Sequence, residues 1–192
     1  MHLPTQHLVA ALLVGAALFA PNALASQTEF ATATLLKEAS FTQESGARDV
    51  RHYNLDKQKL ALSGYDPVAY FPEGGGKPLK GADKLTVTHK GVVYRFSSEE
   101  TKALFVKTPD KFEPQYGGWC AYAMAVDEKV EIDPKSFVVT DGKLYLFYKS
   151  FFNDTRAKWL KDEAALAKKA DAGWKKILDK PAPKSESAEG AD

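Results

Sequence analysis

Cys120 is the single cysteine of the chain, and Met124 follows it by four residues. Thiolate and thioether form a soft donor pair, and the metal that such a pair favours in an exported protein is copper(I). A spacing of four puts both side chains on one face of a helix or a strand. Only a helix brings them close, because one turn rises about 5.4 Å, whereas four residues of strand span roughly 13 Å. His89, just before a predicted turn, and His52 are the imidazoles that would complete a site. Cys120 also admits a second chemistry. Gly117-Gly118 just upstream would expose a nucleophilic thiol or offer backbone N–H groups to an oxyanion. That reading lacks a base, since no Cys-His-Asn or Cys-His-Asp order is legible. Each residue has a structural reading as well. A lone Cys among Trp119, Ala121 and Tyr122 suits a small buried hydrophobe, Met124 a core filler, and His89 a solvated turn neighbour.

Other motifs carry less. Asp66-Pro67 and Asp133-Pro134 read as turn starters rather than as paired catalytic carboxylates. Gly74-Gly75-Gly76 lacks the Lys-Ser/Thr and the helix that a phosphate loop needs. Asn153-Asp154-Thr155 fits the glycosylation pattern, which is common by chance. Zinc-finger, iron–sulfur and Cys-x-x-Cys redox chemistry need more thiolates than one.

The elements around these residues read as a small α+β domain. Of 192 residues, 44% are hydrophobic and 27% charged, the balance of a single globular domain. A formal net charge of +1 and the lack of a basic-aromatic run argue against nucleic-acid binding. Leu8–Ala20 is an apolar run too short to span a bilayer. It ends at Pro21-Asn22, and Ala23-Leu24-Ala25 supplies a small-x-small cleavage pattern. Residues 1–25 are therefore expected to be a cleaved signal peptide that sends the protein to the periplasm or outside the cell, with no stable membrane insertion afterwards. The departure is a leader with His2 and His7 but no Lys or Arg. Only His52 and His89 remain after cleavage.

Residues 26–50 form a polar lead-in, with a helix conceivable over 31–38. Gln58–Leu62 suggests a short strand. Thr86–His89 and Val92–Phe96 flank Lys90-Gly91 as a hairpin, and Phe137–Thr140 and Leu144–Tyr148 flank Asp141-Gly142 as another. Ser97 with Glu100 forms a capping box for a helix that turns Ala103, Leu104 and Phe105 to the core. That helix stops at Thr108-Pro109. Trp159, Leu166, Ala170, Trp174 and Ile177 recur at helical spacing as one apolar stripe, with Lys158, Lys161, Lys168 and Lys169 in water. Tyr65, Tyr70, Phe71, Tyr94 and Phe96 read as core, with a pocket conceivable where they meet Trp119. Residues 179–192 have the composition of a disordered tail. The expected architecture is a small antiparallel sheet with hairpins, packed against short helices and a C-terminal amphipathic helix.

Over residues 54–178 the sequence resembles the YHS-domain family in its bacterial exported form. The resemblance rests on Gly64-Tyr65-Asp66-Pro67-Val68-Ala69-Tyr70-Phe71 and Gly91-Val92-Val93-Tyr94-Arg95-Phe96-Ser97-Ser98. It extends through Phe105, Pro109, Lys111-Phe112, Pro114-Gln115-Tyr116-Gly117-Gly118 and Cys120-Ala121-Tyr122. Asp133-Pro134, Leu144-Tyr145-Leu146, Ala170-Asp171 and Trp174 complete it. Related YHS and TRASH-like domains are considered metal-binding through cysteines, but the matching positions here are Ala69, Ser97 and Thr101. The resemblance implies a YHS-like domain over residues 51–178 without that thiolate set. Taken together, the expectation is a non-catalytic exported domain that binds a metal ion, copper first, or a small ligand. The candidate metal residues are Cys120, Met124 and His89. The alternative is a periplasmic structural or protein-interaction module with no metal. A thiol-dependent enzyme using Cys120 is the third reading.

Overall fold

The computed structural model describes residues 48–181. The expected signal peptide, nearly all of the lead-in and most of the expected tail lie outside the described residues. The described chain is an α+β arrangement of two antiparallel hairpins and five α-helices.

The first hairpin pairs β1 (Ala82–His89) with β2 (Val92–Phe96). Its turn places Lys90 at φ 47° and Gly91 at φ 85°, the two positive φ values that a tight hairpin with right-handed strand twist requires. Two short helices follow, α1 (Glu99–Lys107) and α2 (Pro109–Phe112). A turn over Gln115–Gly118 then leads to α3 (Ala121–Met124). The second hairpin pairs β3 (Asp133–Thr140) with β4 (Lys143–Phe147), again through two residues of positive φ, Asp141 and Gly142. The chain ends in α4 (Thr155–Trp159) and α5 (Glu163–Leu178).

Strand β4 holds the domain together because it serves two cores. All of Leu144, Tyr145, Leu146 and Phe147 are buried, so the alternation of a half-exposed strand is absent. Leu144 and Leu146 pack with Val68, Phe71, Tyr94, Phe96, Phe105 and Phe112. Tyr145 and Phe147 pack with Met124, Trp159, Ala170 and Ile177. Successive side chains point to opposite faces, which is how one strand supplies both clusters. Phe105 anchors the first core, its ring 4.8 Å from that of Tyr94 and 5.1 Å from that of Phe96. In the second core Gly173 lets α5 lie against α3, since a Cβ there would overlap the Met124 carbonyl oxygen.

Asp66 is a structural clamp, as its turn-starting position suggests. Its carboxylate is wholly buried. It accepts from Val68 N at 2.9 Å and Ala69 N at 3.3 Å through one oxygen, and from Ser97 N at 2.8 Å and Ser97 Oγ at 2.7 Å through the other. This fixes the Asp-Pro loop to the end of β2.

The structure corrects several local expectations. The helix cap is Ser98 paired with Thr101, not Ser97 with Glu100, because the Ser97 hydroxyl is committed to Asp66. Ala103 is exposed rather than core-facing. Residues 58–62 form no strand. Leu60 makes one isolated bridge to Val93 and Ala61 another to Leu55, and a 3-10 turn follows at Leu62–Gly64. The terminal stripe is shared by two helices, because Asp162 caps a new start and leaves Trp159 on α4.

Candidate functional site

The Gln115–Gly118 turn is one of two described segments with three consecutive residues of positive φ, the other being Leu62–Gly64. Tyr116, Gly117 and Gly118 all have positive φ, at 56°, 60° and 86°. Glycine adopts this region freely, whereas Tyr116 does so at a cost of order 1–3 kcal/mol. The turn is held from outside. Asn54 N donates to Gly117 O at 2.9 Å and Asn54 Nδ2 to Gly118 O at 3.2 Å. Over it lie Tyr53 and Trp174, edge to face, with ring centroids 5.5 Å apart.

These rings form one wall of a cleft of about 240 Å³, whose lining includes Arg48, Tyr53, Tyr94, Glu113, Tyr116 and Trp174. The Arg48 guanidinium lies 4.8 Å over the Tyr53 ring. It grips Glu113 with both terminal nitrogens, Nη1 to Oε2 at 2.8 Å and Nη2 to Oε1. The Tyr94 hydroxyl donates to the same carboxylate at 2.8 Å, and Tyr116 Oη donates to Asp171 Oδ1 at 3.0 Å. Arg48 Nε is buried with no partner among the described residues, an unmet donor beside the cleft.

The electrostatics follow from this packing. Burial disfavours the charged Arg48, but the hydrogen bonds and charge of Glu113 outweigh it and raise its pKa above the usual arginine value. Burial raises Tyr94 far above an ordinary phenol, with the Glu113 charge adding to it. Burial and the Asp171 hydrogen bond raise Tyr116, and burial raises Tyr53. All three phenols therefore stay neutral donors at physiological pH.

Cys120 is the N-cap of α3, the helix that ends at Met124, with Met124 N donating to Cys120 O at 3.0 Å. Both side chains are fully buried, and neither lines the cleft. Cys120 Sγ lies 3.4 Å from Thr155 Oγ1, and Thr155 Oγ1 donates its one proton to Tyr148 O at 2.6 Å. The sulfur must then be the donor to Thr155, which requires a protonated thiol. A copper ion would have to displace that proton in a packed interior, whereas a core thiol is satisfied as it stands.

His89 lies elsewhere, at the end of β1. Its Nε2 lies 2.9 Å from Asp110 Oδ1, and Lys90 Nζ reaches the same oxygen at 2.6 Å. Lys90 first, and His89 after it, lower the Asp110 pKa. Among the described residues, one group of three potential metal ligands converges, His89, Asp110 and Glu113. It offers a cation little, because Lys90 neutralises one carboxylate and Arg48 the other. His52 is engaged on both nitrogens, with Nε2 3.1 Å from Lys180 O and Nδ1 3.4 Å from Lys129 Nζ.

Ala69, Ser97 and Thr101, the positions that the sequence resemblance sets against metal-binding cysteines, have no soft donor. Asp66 draws Ala69 and Ser97 together, and Thr101 is spent in the helix cap. Hydroxyl and methyl groups around a hydrogen-bonded carboxylate do not fit a soft metal.

The sequence left open a pocket where the aromatic set meets Trp119, but the Trp119 indole donates to His52 O at 2.7 Å and it is Trp174 that lines the cleft. Arg48 and Glu113 were not singled out, and Asp171 entered only as part of the family resemblance. Asp110 in α2 and Glu113 at its C-terminal cap, between Pro109 and Pro114, form the one local signal that pointed there. Comparison of the chain with family profiles, curated proteins and solved structures finds no match.

Proposed function

We propose that the chain is an exported, non-catalytic YHS-type domain that binds a small molecule in the cleft between Arg48 and Trp174. The observation that carries this reading is the cleft itself. Its lining includes Tyr116, a non-glycine residue held in the left-handed region, next to Gly117, and strained backbone of this kind concentrates where a ligand is held. Between the metal and the small molecule that the sequence leaves open, the geometry supports the small molecule. The soft pair is fully buried and Cys120 is already engaged with Thr155, whereas the cleft is open and polar-edged. The test is thermal denaturation with a panel of small amines, alcohols and carboxylates, on the protein and its Trp174→Leu variant. A ligand stabilises the folded state in proportion to its occupancy, so at least one probe raises the melting temperature of the parent and not of the variant. No stabilisation by any probe, or equal stabilisation of both proteins, contradicts the reading.

One feature favours the interaction-module alternative. Phe151 and Phe152 are 94% and 93% exposed, with their rings 4.8 Å apart. Paired exposed aromatics suit a protein contact. Photo-crosslinking from position 152 in the exporting cell yields a discrete protein adduct under this reading and none without it.

A further inference from the structure

We propose that the ligand of this cleft is a small organic cation, an amine or quaternary ammonium, held between the Asp171 carboxylate and the rings of Tyr53, Tyr116 and Trp174. The inference rests on the cleft being the ligand site and adds the charge class of what enters it.

The first support is a balance of charges. Three carboxylates and one guanidinium line the cleft. Glu113 is matched by Arg48 through two hydrogen bonds. Asp110 faces Lys90 and His89. Asp171 differs, because its partner is the neutral Tyr116 phenol. Among the described residues no Lys, Arg or His lies within ion-pair distance of it. One negative charge on the wall is thus left without a cation.

The second support is what surrounds that charge. Trp174 follows Asp171 by three residues on α5 and so projects from the same side of the helix. Aromatic faces carry negative quadrupole density and attract cations, indole most strongly. The cleft already takes one cation in this way, since Arg48 lies over Tyr53 while gripping Glu113. Asp171 with Trp174 repeats the pairing of carboxylate and ring, with the cation missing. An anion would meet Asp171 directly and find Arg48 already committed on both terminal nitrogens. The volume of about 240 Å³ suits an occupant of roughly ten heavy atoms, since about 150 Å³ holds a benzene.

Three probes of one shape and different charge test this by calorimetric titration at matched ionic strength: tetramethylammonium, neopentyl alcohol and pivalate. Tetramethylammonium is expected to bind about tenfold more tightly than neopentyl alcohol, the order of a partly desolvated cation–π contact. Asp171→Asn should weaken tetramethylammonium about fivefold or more and leave neopentyl alcohol unchanged, on the scale of one lost charge contact. Asp171 is exposed and its amide still accepts from Tyr116, so the variant folds. Trp174→Leu should weaken tetramethylammonium too. Pivalate or neopentyl alcohol binding as tightly as tetramethylammonium, or Asp171→Asn leaving the cation unaffected, overturns the cation assignment while the cleft stands as a ligand site. Absence of binding by all three overturns both.

Discussion

Replacing Gly117 with alanine probes the cleft with a single methyl group. Gly117 has φ 60°, and a Cβ there would lie 3.0 Å from both the Trp174 ring and the Tyr53 ring. A non-glycine residue in the left-handed region costs roughly 1–2 kcal/mol. The reduced freedom of the unfolded chain returns about 0.4–1 kcal/mol. The contacts add strain, because two rings packed edge to face must give by a few tenths of an ångström. The expected net loss is about 1–2 kcal/mol, or a fall of roughly 3–8 °C in melting temperature. Gly118→Ala is the matched control. Its φ is 86°, yet the nearest atom to its Cβ is 3.7 Å away, so it carries the backbone strain without touching the rings. Urea denaturation should show both variants destabilised. Tetramethylammonium affinity should fall severalfold in Gly117→Ala and hold in Gly118→Ala. Equal loss of affinity in the two variants, or loss in Gly118→Ala alone, would refute the claim that the Tyr53–Trp174 wall shapes the site.

Asp66→Ala strands four donors around a buried cavity and should cost about 3–5 kcal/mol in urea denaturation, as for one partner removed from a buried charged network. Asp66→Asn keeps one accepting oxygen and should cost less. Native Cys120 should resist alkylation until the protein unfolds, and copper(I) titration should not distinguish the protein from Cys120→Ser; rapid labelling would restore the thiol-dependent enzyme reading, and a stoichiometric difference the metal reading. Burial raises the pKa of Tyr94 and, with the Asp171 hydrogen bond, of Tyr116. The folded state thus favours the neutral phenols, and their contribution is intact below the ordinary tyrosine value near pH 10. It is lost as pH climbs above that value towards the raised folded values. Phenolate absorbance should therefore appear later in folded than in unfolded protein, and Tyr116→Phe should lessen the alkaline loss of stability.

Both hairpins were legible in the sequence because their signals are local. Lys90-Gly91 and Asp141-Gly142 lie between β-rich runs, and two residues suffice to set a tight turn. The core role of Tyr70, Phe71, Tyr94 and Phe96 was equally legible from composition. The cap was displaced by one residue because a long-range bond from Ser97 to Asp66 decided between adjacent serines. The cleft was hidden for the same reason on a larger scale. Arg48, Glu113 and Trp174 are far apart in the chain; Arg48 and Glu113 carry no local signal, and Trp174 read only as part of an apolar stripe, until the Gly117-Gly118 turn and α5 bring them together. Cys120 drew notice by being unique, yet uniqueness says nothing of burial, and the fold places it in the core.

The central claim is that the cleft, and not the soft pair at Cys120, receives the ligand. It is tested most directly by amide and indole chemical-shift mapping of one isotope-labelled sample, titrated separately with tetramethylammonium and copper(I). The account predicts shifts at Tyr53, Gly117, Asp171 and the Trp174 indole with the organic cation, and no stoichiometric change at Cys120, Met124 or Thr155 with copper. Saturable copper shifts centred on Cys120 and Met124, with the cleft signals unmoved by tetramethylammonium, would contradict it.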